Sequence, residues 1–199
     1  MNEVCAECDY NSRYNDSNRD DYYLAWVGRM FQLWHENIDI RLAERTGYGL
    51  YARKSLAAKI FIGEYTGVLL PIDEELPDEN TVYQFVINIG KLQTKRNAPQ
   101  PKCWVDATKK GSIFRLMAHS CSPNAEVTEA HVSTHNRVLA VRTIRPVLAN
   151  EAITIDYGER WLTGKQRYFC GVQGCTNPLQ AGDSDLSDDN GSEYEEQDI

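Results

Sequence analysis

After one helix-like stretch, this chain offers only short β-prone runs, each ended by glycine, proline or a polar turn. "IDIRL" (38–42) alternates apolar and polar residues. "TGYGLYARKSL" (46–56) reads as a Gly-punctuated turn between short strands. "KIFIGEYTGVLL" (59–70) and "TVYQFVINI" (81–89) are rich in strand formers, the second carrying Tyr83, Phe85, Ile87 and Ile89 on one face. "RVLAVRTI" (137–144) and "AITIDYG" (152–158) alternate again. Polar and Pro-rich loops are expected at 71–80 and 93–102. Long helices do not alternate with these strands, so a doubly wound parallel sheet is excluded and a compact, mostly β domain with short helices follows.

The one helical stretch is "DDYYLAWVGRMFQLWHE", residues 20–36. Tyr23, Trp26, Val27, Met30, Phe31 and Trp34 recur at helical spacing behind two leading acids, which predicts an amphipathic helix over 20–37 docked on the core. An aromatic stripe of this kind is a packing feature.

Charge divides the chain of 199 residues. Its net charge is −8, yet from residue 181 onward acids occur without a single Lys or Arg. That tail, with Asp183, Asp185, Asp188, Asp189, Glu193, Glu195, Glu196 and Asp198, is expected to be disordered. Without it the acids and bases balance. A neutral body argues against direct nucleic-acid binding, which needs a basic surface. No run approaches the ~18 apolar residues of a membrane span. The amino terminus lacks the pattern of a secretory signal, so an intracellular protein is expected. There the six cysteines would be thiols or metal ligands. Cys5 and Cys8 form a CxxC without a matching second pair nearby, and residues 1–19 read as a polar lead-in.

The densest chemistry is "RLMAHSCSPN", residues 115–124, with a His, a Cys and a Pro–Asn turn signal. His119 and Cys121 would share a face of a strand. By themselves they fit a nucleophile–base pair, half a metal site or a buried structural loop, and the structural loop is the commoner case, since a nucleophile also needs a base in hydrogen-bond reach.

Four ordered stretches narrow these choices. "GYGLYARKSL" (47–56), "FIGEYTGVLL" (61–70), "WVDATKKGSIFRLMAHSCSPNAEV" (104–127) and "EAITIDYGERW" (151–161) resemble, in order and spacing, the motifs of SET-domain protein lysine methyltransferases. The resemblance covers about residues 38–175. It implies a SET domain over 38–160, of small curved β-sheets around a pseudoknot in which the "HSC" segment passes beneath "DYG". A post-SET-like tail would follow at 161–180, with the disordered acidic tail at 181–199. It also implies S-adenosyl-L-methionine as methyl donor and a channel for a lysine from the opposite face. Carried over by position, Tyr157 would be the catalytic tyrosine. Gly47, Tyr48, Gly49, Arg115, Ala118, His119 and Tyr157 would contact the cofactor, with the His119 backbone near its adenine. Tyr65, Tyr83 and Ile155 would line the substrate channel. Cys121, Cys170 and Cys175 match three ligands of a family zinc site. The first cysteine of the family's C-x-C-x₄-C is Tyr168 here, leaving Cys103, Cys5 or Cys8 to complete the set. These assignments remove the Cys–His nucleophile from consideration.

Several family positions differ. Ala118 replaces an Asn, Ser112 an Asn, Leu116 a Phe and Val68 a Glu; Gly-Glu-Glu becomes Asn150-Glu151-Ala152, where Asn also tolerates left-handed backbone. Two functions therefore stand. One is S-adenosylmethionine-dependent methylation of lysine in a histone or other basic protein, in the nucleus; a different substrate would put it in the cytoplasm. The other is a SET fold that has left lysine methylation, as an interaction module or a repurposed small-molecule pocket.

Overall fold

The structure, a computed structural model, describes residues 19–43, 47–72, 83–89, 101–132 and 137–158 together with Cys170, Val172 and Cys175. Helix α1 (Arg19–Asn37) leads directly into β1 (Ile38–Ala43). Asn37 closes the helix: its side-chain amide donates to Leu33 O at 2.6 Å, and its own carbonyl accepts the Arg53 N–H. β1 and β2 (Gly47–Ala52) form an antiparallel pair, Ile38 opposite Ala52 and Ala43 opposite Gly47. The Gly-Tyr-Gly stretch, expected as a turn, is thus the start of a strand; Gly47 enters it at φ +72°, a conformation that favours glycine.

Two three-stranded antiparallel sheets make up most of the rest. One has the order β3 (Phe61–Glu64), β9 (Arg137–Thr143), β8 (Ala125–His131). The other has β4 (Val68–Pro71), β6 (Lys102–Asp106), β5 (Gln84–Asn88), so the strand latest in sequence lies in the middle. The loop expected to reach residue 102 ends one residue sooner, because Lys102 already pairs with Asn88. Gly67 lets these parts close up: a Cβ there would sit 2.4 Å from Asp106 O. A short 3₁₀ turn (Ile113–Leu116) buries Phe114 against Gly63.

β9 is the hinge between two cores. Leu139 and Val141 point into the main cluster with Leu50, Phe114, Met117, Val147 and Ile153. Val138 and Ala140 point the other way, into a second cluster under Trp26 and Met30 of α1. The expected one-sided alternation of "RVLAVRTI" is therefore corrected to four consecutive buried residues, since a helix covers the second face.

The docked stripe of α1 also differs from the expected one. Trp26 and Met30 are buried, with Tyr23 and Leu33 beside them and Trp34 against the main cluster. Val27 and Phe31 are exposed instead. The stripe runs 23–26–30–33, and Phe31, just off it, meets Trp34 and His35 on the helix surface. Trp26 anchors the helix edge-on to Phe61 at 5.5 Å. Ile89, placed by alternation on the same face as the buried Ile87, is exposed beyond the end of β5. Among the described residues no helix is long and apolar enough to cross a membrane.

Candidate active site

Two very short strands create the site. β7 (Ala118–His119) and β10 (Thr154–Ile155) pair in parallel, Ala118 with Thr154 and His119 with Ile155. Parallel pairing needs a long connection, and here β8 and β9 supply it, so the 118–124 segment crosses against 151–157. Two residue pairs would not hold such a crossing without help. Asn124, fully buried, provides it: its Oδ1 accepts the Thr154 N–H at 2.9 Å, and its Nδ2 donates to Ala152 O at 2.7 Å and Glu151 Oε1 at 3.1 Å. The Ser120 N–H donates to Ile155 O, and the Ile153 N–H to Leu50 O, which ties the crossing to β2. Asn150 turns the chain into it at φ +68°, as its residue type allows, and accepts a hydrogen bond from Arg41.

Tyr157 lies where this crossing meets the aromatic side chains. Its hydroxyl donates to Met117 O at 2.5 Å, and burial, with Tyr83 nearby, pushes its pKa well above the ordinary phenol value. Tyr65 behaves alike: its hydroxyl donates to Tyr83 O at 3.0 Å. Burial and the neighbouring Tyr157 and Tyr83 raise its pKa, against a smaller opposing pull from Arg115. Both phenols stay protonated at neutral pH, as hydrogen-bonding groups rather than bases. Phe85 meets Tyr65 edge-on at 4.7 Å. The Arg115 guanidinium sits 5.0 Å from the Tyr83 ring centre and donates to Thr108 O at 2.6 Å. Nearby, Asp106 is held below the usual carboxylate range. Burial works against its charge, but hydrogen bonds from Thr108 and Gln84 and the field of Arg115 prevail.

Tyr65, Tyr83, Tyr157 and Arg115 therefore gather in one place, with Ile155 buried in the adjoining core. Gly47, Tyr48 and Gly49 begin β2, where Tyr48 is exposed and, among the described residues, the Cβ position of Gly47 faces open space. Ala118 is half-buried in β7. His119 turns its ring inward, and Nδ1 accepts the Tyr157 N–H at 3.1 Å. Of the other departures, Ser112 finds a role, its hydroxyl accepting the Thr66 N–H, and Leu116 packs on the core. Val68 is exposed on β4. Sequence reasoning gave no role to Asn124 or to the Met117 carbonyl. The Asn lay inside the quoted motif, whereas a backbone acceptor leaves no residue-type signal.

Cys121, Cys170 and Cys175 come together, all three sulfurs within 4.8 Å of one another. The Cys121 and Cys175 sulfurs are 3.8 Å apart. Tetrahedral zinc at ~2.3 Å from each thiolate sets sulfurs about 3.8 Å apart, the separation of this pair, and the trio offers three of the four thiolate positions of such a site. Cys103 is not a fourth member. It is buried in β6 opposite Pro71 and Ile87, and burial raises its thiol pKa. Cys5, Cys8 and Tyr168 lie outside the described residues.

The SET-domain family pattern matches residues 47–158, which contain the Gly-Tyr-Gly strand, the three tyrosines and both arms of the crossing. The chain belongs to the SET-domain family. Its relatives include a histone-lysine N-methyltransferase, H3 lysine-36 specific, of Cryptococcus neoformans var. neoformans serotype D (30% identical over 73% of this chain). Another is histone-lysine N-methyltransferase SETD2 of Homo sapiens (31% identical over 73% of this chain). The matched regions span only 17% and 6% of those two proteins. Among solved structures, the methyltransferase domain of human histone-lysine N-methyltransferase SETMAR superposes with a TM-score of 0.52 at 22% identity, over 72% of this SET chain and 57% of that one. KRYPTONITE, solved in complex with mCHG DNA and SAH, superposes with a TM-score of 0.53 at 21% identity, over 71% and 28%. These two likenesses bear on the fold.

Proposed function

We propose that this domain is an S-adenosylmethionine-dependent protein lysine N-methyltransferase acting in the nucleus on a histone or another basic protein. The observation that carries the proposal is the hydroxyl of the half-buried Tyr157, directed at Met117 O beside Tyr65 and Tyr83 within the family-matched segment. The relatives' names support the substrate class. The acidic residues between 183 and 198 would add attraction for a basic protein.

The residues present fit the cofactor. The backbone at Gly47 and Gly49 is approachable, since among the described residues a Cβ at Gly47 would meet nothing within 4 Å and one at Gly49 would first meet the Tyr51 ring at 3.4 Å. Gly47, Tyr48, Gly49, Ala118 and the His119 backbone would hold S-adenosylmethionine, which supplies a methyl group on a positively charged sulfur. The chain's own task is then to deliver a neutral, aligned amine. Tyr65, Tyr83 and Phe85 present aromatic walls that strip water from a lysine side chain. Desolvation lowers the lysine pKa from its ordinary ~10.4, favouring loss of its proton to solvent before transfer. Tyr157 remains a neutral phenol and would orient the amine by hydrogen bonding. Ile155, aliphatic and buried, would bound the channel beside it.

Ala118 favours a second reading, a SET fold without methylation, because it offers no side-chain amide to a cofactor. Losing such a contact would weaken binding roughly tenfold to a hundredfold. Calorimetric titration of the purified protein with S-adenosylmethionine and S-adenosylhomocysteine separates the two. The first reading expects micromolar binding of both; absence of heat at millimolar cofactor would overturn it in favour of the second.

A further inference from the structure

His119 stands between the cysteine trio and Tyr157. Its Nδ1 accepts the Tyr157 N–H at 3.1 Å, which requires a lone pair on that nitrogen. With Nδ1 accepting, Nε2 is the ring nitrogen that carries the hydrogen, and it lies 3.6 Å from the Cys121 sulfur, within the range of an N–H···S hydrogen bond. The Asp156 carboxylate is 3.8 Å from Nδ1, beyond hydrogen-bond reach, so it does not compete for that position. The His119 and Tyr157 rings also meet edge to face at 5.4 Å. One continuous path therefore runs from the Cys121 sulfur through the imidazole to the Tyr157 backbone, and from its hydroxyl to Met117 O.

We infer that His119 is a positioning residue, coupling metal occupancy of the Cys121–Cys170–Cys175 cluster to the placement of Tyr157. A thiol is a weak acceptor and brings a proton of its own. When zinc binds, the thiol protons leave to solvent and Cys121 becomes a metal-bound thiolate. Its hydrogen bond from Nε2–H is then charge-assisted. Polarising the imidazole in that direction makes Nδ1 a better acceptor, which tightens its bond to the Tyr157 N–H. The path leaves the cluster through Cys121, so the identity of the fourth zinc ligand does not enter this argument. Nor does the inference depend on methyl transfer; it stands on the zinc fit and on the geometry of one ring.

The test is a titration of zinc into the metal-free, ¹⁵N-labelled full chain, following the Tyr157 amide. With increasing occupancy that resonance should move downfield. His119→Phe should abolish the movement while still taking up metal, shown by the thiolate charge-transfer bands of bound cobalt, with affinity reduced roughly 10–100-fold. His119→Gln, whose side-chain amide supplies both an acceptor and an N–H donor, should restore the movement. If His119→Phe does not fold, the wild-type ring decides the matter: the His119 ring nitrogen resonances should shift together with the Tyr157 amide as zinc binds, and ring resonances that stay in place would overturn the inference. A Tyr157 amide that stays in place at zinc saturation, that moves equally in His119→Phe, or a wild-type chain that takes up no zinc, would each overturn the inference. None of these readings uses turnover, so failure of the proposed function would appear separately.

Discussion

The β3–β9–β8 sheet under α1 and the β7–β10 crossing are held together by opposite means. The sheet buries apolar side chains on both faces of β9 and carries ion pairs along its strands, a part-exposed Arg142–Glu126 and an Arg137–Glu129 whose arginine is buried. The crossing has only two residue pairs and relies on hydrogen bonds converging on Asn124 and Glu151. Apolar packing tolerates changes of shape if volume is kept. A buried polar junction does not, because each lost partner leaves another group unsatisfied. The contrast explains why the residues proposed for chemistry sit at the crossing: hydrogen bonds fix direction as well as distance, and Tyr157 needs both.

The largest stability loss should come from Trp26→Ala, which empties the α1 anchor against Phe61 and costs about 3–5 kcal/mol in chemical denaturation. If it costs under about 1 kcal/mol, α1 does not contribute a core of its own. Next comes Asn124→Ala, at about 1–3 kcal/mol, from leaving the Thr154 N–H and Ala152 O without partners. That variant should also lose cofactor binding more completely than Trp26→Ala does, and equal losses would erase the distinction between the regions.

The pH dependence of unfolding should separate the regions by sign. At the crossing, burial works against the Glu151 charge. Hydrogen bonds from the Leu148 N–H and Asn124, with Arg145 close by, prevail and hold its pKa below the ordinary value. Its contribution is therefore complete above the unfolded carboxyl pKa of ~4.3 and fades as pH falls through the lower folded value. Under α1, burial pushes the Glu64 carboxyl upward. Its folded form prefers the proton, so that contribution is present below the unfolded pKa and is lost as pH rises through the folded one. Glu151→Gln should flatten the acid limb of the urea-denaturation profile, and Glu64→Gln should raise stability near neutrality relative to wild type. Both variants shifting the same limb would contradict the contrast. The smallest effect belongs to Phe31→Ser, within about 0.5 kcal/mol, because that ring is on the exposed side of α1. A larger loss would return Phe31 to the docked stripe that the sequence pattern suggested.

What could be read in advance follows the same division. Local alternation located β1 and β5, and helical spacing located α1 with Trp26 and Met30 among its contact residues. Burial of Val138 through Val141 was not legible, because it depends on a helix more than a hundred residues earlier covering the second face of β9. The rotation of the α1 stripe away from Val27 and Phe31 has the same origin. At the crossing, periodicity is silent: two-residue strands carry no period, and only the ordered motifs brought residues 118–124 and 151–157 into one picture. The three cysteines lie within 4.8 Å of one another, whereas Cys103 could be set aside only once its strand was placed. Asn150 was legible from residue type alone, since its φ of +68° is one that Asn tolerates. The inward turn of His119 was not, because the Tyr157 N–H it accepts lies 38 residues away.

The central claim, that this crossing positions a methyl-transfer site, is tested most directly by transfer of a labelled methyl group from S-adenosylmethionine to core histones, comparing wild type with Tyr157→Phe. The account predicts labelled lysine with wild type and loss of about 10²-fold or more in rate with Tyr157→Phe, at unchanged cofactor affinity. Equal rates for the two proteins, or no transfer by a wild-type chain that binds the cofactor, would contradict it.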